Sequence, residues 1–271
     1  MTQRIKTDDA KPLPERLVDD LLKSGFAAEL RVLEIFTAAG WMASSRPEFF
    51  DPTLNISRDL DLYAFRQDTS VSSDGQLLLQ ADAEAWVEVK KSQNPWVILR
   101  AAAPDPDASF MVHIFCSPPF QGFVEQRRFR QAAAEYCIVT RNGWCGHGIH
   151  EAFKKPNSES QSYSSLVKLA RASYEHRQRP SSEYRAPTFP ALYYAKTLIV
   201  LDGPLFSAHV DNNTVQVTPI AEATIEFTAA QSETKRDALY IDVVTIDALP
   251  PYLDFIRKTH ARFIEIAEQK A

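Results

Sequence analysis

The run from Leu192 to Leu201 is almost wholly apolar. A short apolar stretch without polar alternation fits a strand buried on both faces. Such a strand belongs inside a mixed sheet flanked by helices. The amphipathic segments that could supply those helices are spread along the chain. Pro14 opens the first, where Leu17, Val18, Leu21 and Leu22 recur at helical spacing up to Gly25. The second runs from Phe26 to Ala39 and stops at Gly40, with a stripe of Phe26, Leu30, Leu33 and Phe36. Phe120 to Tyr136 and Ser162 to His176 read as two more. Pro250 and Pro251 begin a last one, with Phe255, Ile256, Phe263 and Ile266 toward the core.

Between the second and third helices the chain alternates. Trp41 to Ser45 and Ser57 to Arg66 read as strands. In the latter, Leu60 and Leu62 take one face and Asp59, Asp61 and Tyr63 the other. Gln76 to Ser92 holds a third strand, and the three imply an antiparallel meander packed on the helix before it. Trp96 to Leu99 and Phe110 to Cys116 read as further strands, and Asn142 to Gly148 as a loop. Ala101 to Ser109 and Arg177 to Pro190 read as proline-bearing connections. After Gly203 come a hairpin turned at Asn212-Asn213, then strands at Thr224 to Phe227 and Ala238 to Ile246. The expected organisation is a flexible 1–12 and one domain over 13–271. Its core spans about 26–202, elaborated over 203–271 by strands and the final helix.

Composition narrows the setting. No apolar run reaches the roughly 18 residues that span a bilayer, so no membrane partner is expected. Met1 to Lys11 is polar and lacks an apolar signal core. Three cysteines are an odd number for a disulfide framework and suit a reducing compartment. The protein is therefore expected in the cytoplasm. A net charge of −5 gives no global attraction to nucleic acid, which would need a local basic face.

The chemistry lies in Trp86-Val87-Glu88-Val89-Lys90-Lys91-Ser92. Side chains alternate along a strand, so Val87 and Val89 face one way and Glu88 and Lys90 the other. If this strand neighbours the one bearing Asp61, the carboxylates of Asp61 and Glu88 converge, roughly 4–6 Å apart, within reach of one cation. Two anionic oxygens, a backbone carbonyl and waters are a usual Mg²⁺ ligand set. Lys90 would then act through charge at a phosphate. As a surface-directed lysine it would contribute little to stability. Lys91, on the opposite face, is read as structural. Glu29 falls inside the apolar stripe of its helix, where an acid needs a partner or a task.

The ordered set resembles the PD-(D/E)XK nuclease superfamily, with its restriction-endonuclease-like fold. A helix carries an acid, a strand follows, then Arg58-Asp59-Leu60-Asp61-Leu62 and Glu88-Val89-Lys90. The resemblance implies an α/β fold with an αβββαβ core. It implies a metal-dependent nuclease, with Asp61, Glu88 and Glu29 binding Mg²⁺ or Mn²⁺ and Lys90 assisting the nucleophile. DNA is the implied substrate ahead of RNA. The Ser162–His176 helix and the Leu192–Leu201 strand would be the family's crossover helix and following strand. No proline precedes the aspartate, and the spacing from Asp61 to Glu88 is long. The alternative is a non-catalytic nucleic-acid-binding or regulatory module on the same fold, and a homodimer is left open.

Candidate phosphate contacts are Arg127, Arg128 and Arg130 on one helix, and Lys168, Arg171, Arg177 and Arg179 on or after another. Cys145, His147 and His150, with Cys137, could supply zinc ligands. Their spacing departs from paired Cys-x₂-Cys sites, and a glycine-containing loop is the preferred reading.

Overall fold

The computed structural model describes residues 11–51, 54–102, 113–116, 123–155, 158–178, 190–230 and 236–269. It begins with α1 (Leu13–Lys23) and α2 (Phe26–Ala38). Strand β1 (Met42–Ser45) leads into a hairpin of β2 (Glu48–Asp51) and β3 (Ile56–Asp59), then β4 (Leu62–Val71) and β5 (Leu77–Lys91). Next come β6 (Trp96–Ala102), β7 (His113–Cys116), α3 (Phe123–Glu135), α4 (Ile138–Asn142), β8 (Trp144–Glu151) and α5 (Gln161–Gln178). The remainder holds β9 (Ala191–Asp202), β10 (Leu205–Asp211), β11 (Thr214–Pro219), β12 (Glu222–Ala230), β13 (Arg236–Thr245), one 3-10 turn and α6 (Leu249–Glu268).

The fold is mixed α/β. One large sheet has the order β1-β4-β5-β9-β13-β12-β8-β6-β10-β11, with β7 also paired to β9. Strands β1, β4 and β5 form the antiparallel meander, and β5 then runs parallel to β9 along Gln80–Lys91. The segment after Gly203 is built into this sheet, because β13 lies parallel beside β9. Among the described residues no helix is long and apolar enough to cross a membrane.

Strand β9 is buried from both sides. Tyr194, Leu198 and Val200 join a core with α2, α3, α4 and α6, while Ile199 and Leu201 join another under α5. Lys196 is the exception within the run. Its ammonium lies 2.9 Å from Asp242 Oδ2 on β13. Tyr252 donates to the same oxygen at 2.8 Å, and Thr224 donates to Oδ1 at 2.6 Å. A buried lysine is tolerable when its charge is matched and its partner's oxygens are all used.

Several local expectations are corrected. On α2 the buried residues are Ala28, Val32 and Phe36, whereas Phe26 and Leu30 are exposed. The stripe is rotated because the sheet contacts the small Ala28 side. Helix α1 forms, yet none of its residues is buried. The strand expected over Ser57–Arg66 breaks at Leu60-Asp61, so Leu60 and Leu62 enter opposite cores. Residues expected as loop before Gly148 belong to β8, which pairs with β6 and meets β12. On α6, Ile256, Phe263 and Ile266 are buried, but Phe255 is half-buried under the Arg141 guanidinium, 3.4 Å from its ring centre. The Asn212-Asn213 turn has φ of 47° and 62°, the left-handed pair that a two-residue hairpin needs. The flexible-terminus expectation over 1–10, the connection expected at 103–109 and Arg179 lie outside the described residues.

Candidate active site

Strand β5 sets the site. Val87 and Val89 face the core beneath α2 and α6, while Trp86 faces the core beneath α5. Glu88 and Lys90 share the Trp86 side by alternation. Strand β4 begins only at Leu62, opposite Val87. Beyond that point the Asp61 side chain takes the place of a strand partner, and Oδ2 accepts the Val89 amide at 2.7 Å. Asp61 is fixed from behind as well. Its carbonyl accepts from the Arg46 amide at 3.2 Å, and the Leu60 amide donates to the Pro47 carbonyl at 3.0 Å. These bonds close the base of the β2–β3 hairpin and leave Asp61 on the bend beside β5.

Three oxygens converge on the Lys90 ammonium. Glu88 Oε2 lies at 2.8 Å, Asp61 Oδ2 at 2.9 Å and the Val89 carbonyl at 3.1 Å. Asp61 Oδ2 and Glu88 Oε2 are therefore separated by less than the sum of their two distances to that nitrogen. Burial works against the Lys90 charge, but Glu88 and Asp61 outweigh it and hold the ammonium above the ordinary lysine range. Lys90 is thus not surface-directed; its side chain is 21% exposed. Lys91 faces away and donates to the Leu22 carbonyl at the end of α1.

Lys168 completes the cluster from α5. Its Nζ is 2.5 Å from Glu88 Oε1 and 3.9 Å from Asp61 Oδ1. The Glu88 contact is ionic in character, because Oε1 has no hydrogen bond of good angle. Glu88 is 1% exposed, so both of its oxygens depend on lysines. Glu29, half-buried on α2, feels the same group. Burial pushes its carboxyl up, Asp61 and Glu88 push it further, and Arg46 and Lys90 oppose them. Arg46 is held at a positive φ of 54° with its guanidinium over the Phe26 ring.

Asp61, Glu88 and Lys90 are therefore brought into contact, while Glu29, expected as a third metal ligand, feels their charge without joining them closely enough to share one ion. Lys168, first read as a phosphate contact, joins them as a member of the site. Arg171 is engaged elsewhere, with Nη1 2.8 Å from the buried Asp51, which Arg58 also approaches at 3.5 Å. Arg127, Arg128 and Arg130 sit on α3, whose Phe129 packs edge-on against Phe263 in the core across the sheet. Arg128 there donates to Gln269 at 2.7 Å.

The cysteine–histidine set does not converge. Cys145 is buried against the Thr224 carbonyl, and burial pushes its thiol up to about 11. Cys137 caps α4, while His147 and His150 are exposed. Among the described residues no three His, Cys, Asp or Glu side chains gather closely enough to hold one ion. Asp61 and Glu88 are a pair, with the Val89 carbonyl as the third oxygen.

Sequence reasoning missed Arg46 and the site role of Lys168. Arg46 carries no signal in the sequence, since only the hairpin's closure brings it near. Lys168 is set on an inward stripe by the burial of Ser165 and Ala172, three before and four after it, which shows only in the fold.

On the same sheet face, beyond the Tyr63–Trp86 ring pair at 5.1 Å, lies a cleft of about 570 Å³. Tyr63, Phe65, Gln67, Asp82, Glu84 and Tyr193 are among its lining residues.

In comparison with known proteins, no family model matches the chain, and neither does any curated protein or solved structure.

Proposed function

We propose that this chain is a metal-dependent nuclease hydrolysing phosphodiester bonds, with DNA the substrate ahead of RNA. The observation that carries the reading is the convergence of Asp61, Glu88 and the Val89 carbonyl on one cationic point. The order α2, β1, β4, β5, α5, β9 supports it, with β1-β4-β5-β9 adjacent and β5 parallel to β9. That is the arrangement a restriction-endonuclease-like αβββαβ core requires.

The donor set suits a hard divalent cation, since carboxylate and carbonyl oxygens are what Mg²⁺ and Mn²⁺ prefer. Asp61 and Glu88 would hold it, with Glu29 supporting, once the Lys90 ammonium turns away from their meeting point. Bound there, such an ion supplies Lewis-acid polarisation of the phosphate and a more acidic water. The protein's own groups do the rest. The Val89 amide fixes the Asp61 carboxylate. Lys168 orients Glu88 and presents positive charge toward an incoming phosphate. Lys90 holds positive charge where negative charge grows on the phosphoryl oxygens. Arg46, whose amide donates to the Asp61 carbonyl, is an arginine available to the flanking backbone, whereas the α3 arginines lie behind the sheet. Free thiols at Cys137 and Cys145 fit a cytoplasmic setting.

One observation favours the regulatory form of the second reading, a non-catalytic module on the same fold. The neighbouring cleft is lined by Asp82 and Glu84, which repel a phosphate backbone. The deciding experiment is cleavage of single- and double-stranded DNA and RNA with Mg²⁺, Mn²⁺ or chelator. Activity that needs the metal and vanishes in Asp61→Ala upholds the nuclease. Absence of cleavage of every substrate with either metal replaces it with the module.

A further inference from the structure

Strand β11 ends the sheet. Among the described residues it pairs only with β10, and all six of its residues are exposed. Val215 and Val217 are 67% and 56% exposed, and Val210, opposite Val215 on β10, is 68% exposed. A free edge is normally blunted by charge, proline, a bulge or brevity, since its unpaired amides and carbonyls invite another strand, and in β11 the proline, Pro219, stands only at the last position. The run Thr214-Val215-Gln216-Val217-Thr218 carries no charge and four β-branched residues, which favour strand pairing. The left-handed Asn212-Asn213 turn holds the hairpin ready, so little ordering is left for a partner to impose.

The sequence of this edge reads the same in both directions. A two-fold axis through Gln216 therefore pairs Thr214 with the partner's Thr218, Val215 with the partner's Val217, and Gln216 with its own copy. Isologous contacts require such self-complementarity. By alternation the valines of both copies fall on one face and extend the strip begun by Val210, while threonines and glutamines occupy the other. We infer that β11 is a homodimer interface at which two copies of this chain join their sheets antiparallel about Gln216.

The axis gives a direct test. Gln216→Lys places a lysine opposite its own copy, and Gln216→Glu does the same with a carboxylate; like charges directly opposite disfavour pairing. Light scattering after gel filtration should give twice the chain mass for wild type and one chain mass for each variant alone. An equimolar mixture of the two variants should return to twice the chain mass, because unlike charges then meet on the axis. Amide exchange of wild type supplies a second readout that needs no variant. Within residues 214–218, the amides that point away from β10 should be protected in concentrated protein and exchange faster on dilution. A wild type of one chain mass at every concentration, variants that keep the doubled mass, or a mixture that stays single overturns the inference, as do concentration-independent amides.

Discussion

Lys168 Nζ of α5 stands 2.5 Å from Glu88 Oε1 of β5, while Lys90 Nζ stands 2.8 Å from the other oxygen of the same carboxylate. Glu88 is thus gripped from two elements far apart in the chain. A charge on a carboxylate that is 1% exposed is costly to bury unless it is answered where it sits. The pairing ties the helix over the sheet to the strand that carries the site, so the position of α5 and the charge state of the site are coupled.

Lys168→Ala should consequently lower stability. Removing one partner of a fully buried pair typically costs about 3–5 kcal/mol. Here Lys90 still answers Oε2, and Lys168 is 16% exposed, so about 2 kcal/mol is expected. Adding Glu88→Gln to Lys168→Ala should recover at least half, since the uncompensated charge then disappears. Urea unfolding of the single and double variants measures this. A Lys168→Ala protein as stable as wild type means that Glu88 needs no partner from α5.

Lys90→Ala separates charge at the site from charge in the fold. The sequence alone made Lys90 a surface lysine with little bearing on stability, but its three oxygen contacts argue otherwise. In chelator the variant should melt lower than wild type, because Asp61 and Glu88 then face each other with less compensation. Mg²⁺ should raise its melting temperature more than that of wild type, since the ammonium no longer occupies the meeting point of the oxygens. Cleavage should fall by roughly 10²–10³-fold, the usual cost of removing a preorganised charge. Lys91→Ala is the control and should cleave near the wild-type rate. An unchanged rate in Lys90→Ala removes this lysine from the chemistry.

The meander, the doubly buried β9 and the Asn-Asn hairpin were legible because each rests on local signals of alternation, apolarity and turn chemistry. That Glu88 and Lys90 share a face was legible because strand alternation fixes it, whereas Asp61 reaches them from a bend that alternation does not describe. What stayed hidden depends on contacts distant in sequence. The break at Leu60-Asp61 arises where the β2–β3 hairpin closes on Arg46 and Pro47. Lys196 passed as an interruption in an apolar run until β13 brought Asp242 beside it. Phe26 and Leu30 looked like core because helical periodicity gives a stripe but not which part of it meets the sheet.

The buried group around Asp242 sets an alkaline limit. Burial and then Asp242 push the Tyr252 hydroxyl well above its ordinary 10.0, and burial also raises Tyr194. Burial opposes the Lys196 charge, but Asp242 outweighs it and holds the ammonium well above 10.5. All three keep their protons in the folded state at pH values where the unfolded chain has lost them. The folded state then binds more protons, so stability falls as pH rises. It should be constant up to about pH 10 and decline steadily above that. Tyr252→Phe removes one of the three and should flatten the decline. Thermal melts from about pH 8 to pH 11 for both proteins test the sign and the slope.

Glu29→Gln tests whether α2 belongs to the site. Glu29 lies half-buried beside Asp61 and Glu88, and its carboxyl is raised by burial and by their charge. In the metal-free protein the ionised Glu29 therefore works against its neighbours. Replacing it with the neutral isostere should leave the melting temperature equal or higher. A divalent cation at Asp61 and Glu88 reverses that balance, because the third carboxylate then attracts instead of repelling. Outer partners of a metal typically contribute 10–100-fold in affinity, and Glu29 approaches from the helix side, so a loss of roughly 10-fold for Mn²⁺ is expected in the variant. Calorimetric titration of Mn²⁺ into wild type and Glu29→Gln, paired with melts in chelator, reads both effects. Equal affinities would place Glu29 outside the metal's reach. A variant that melts lower without metal would make Glu29 a structural residue whose charge the fold requires.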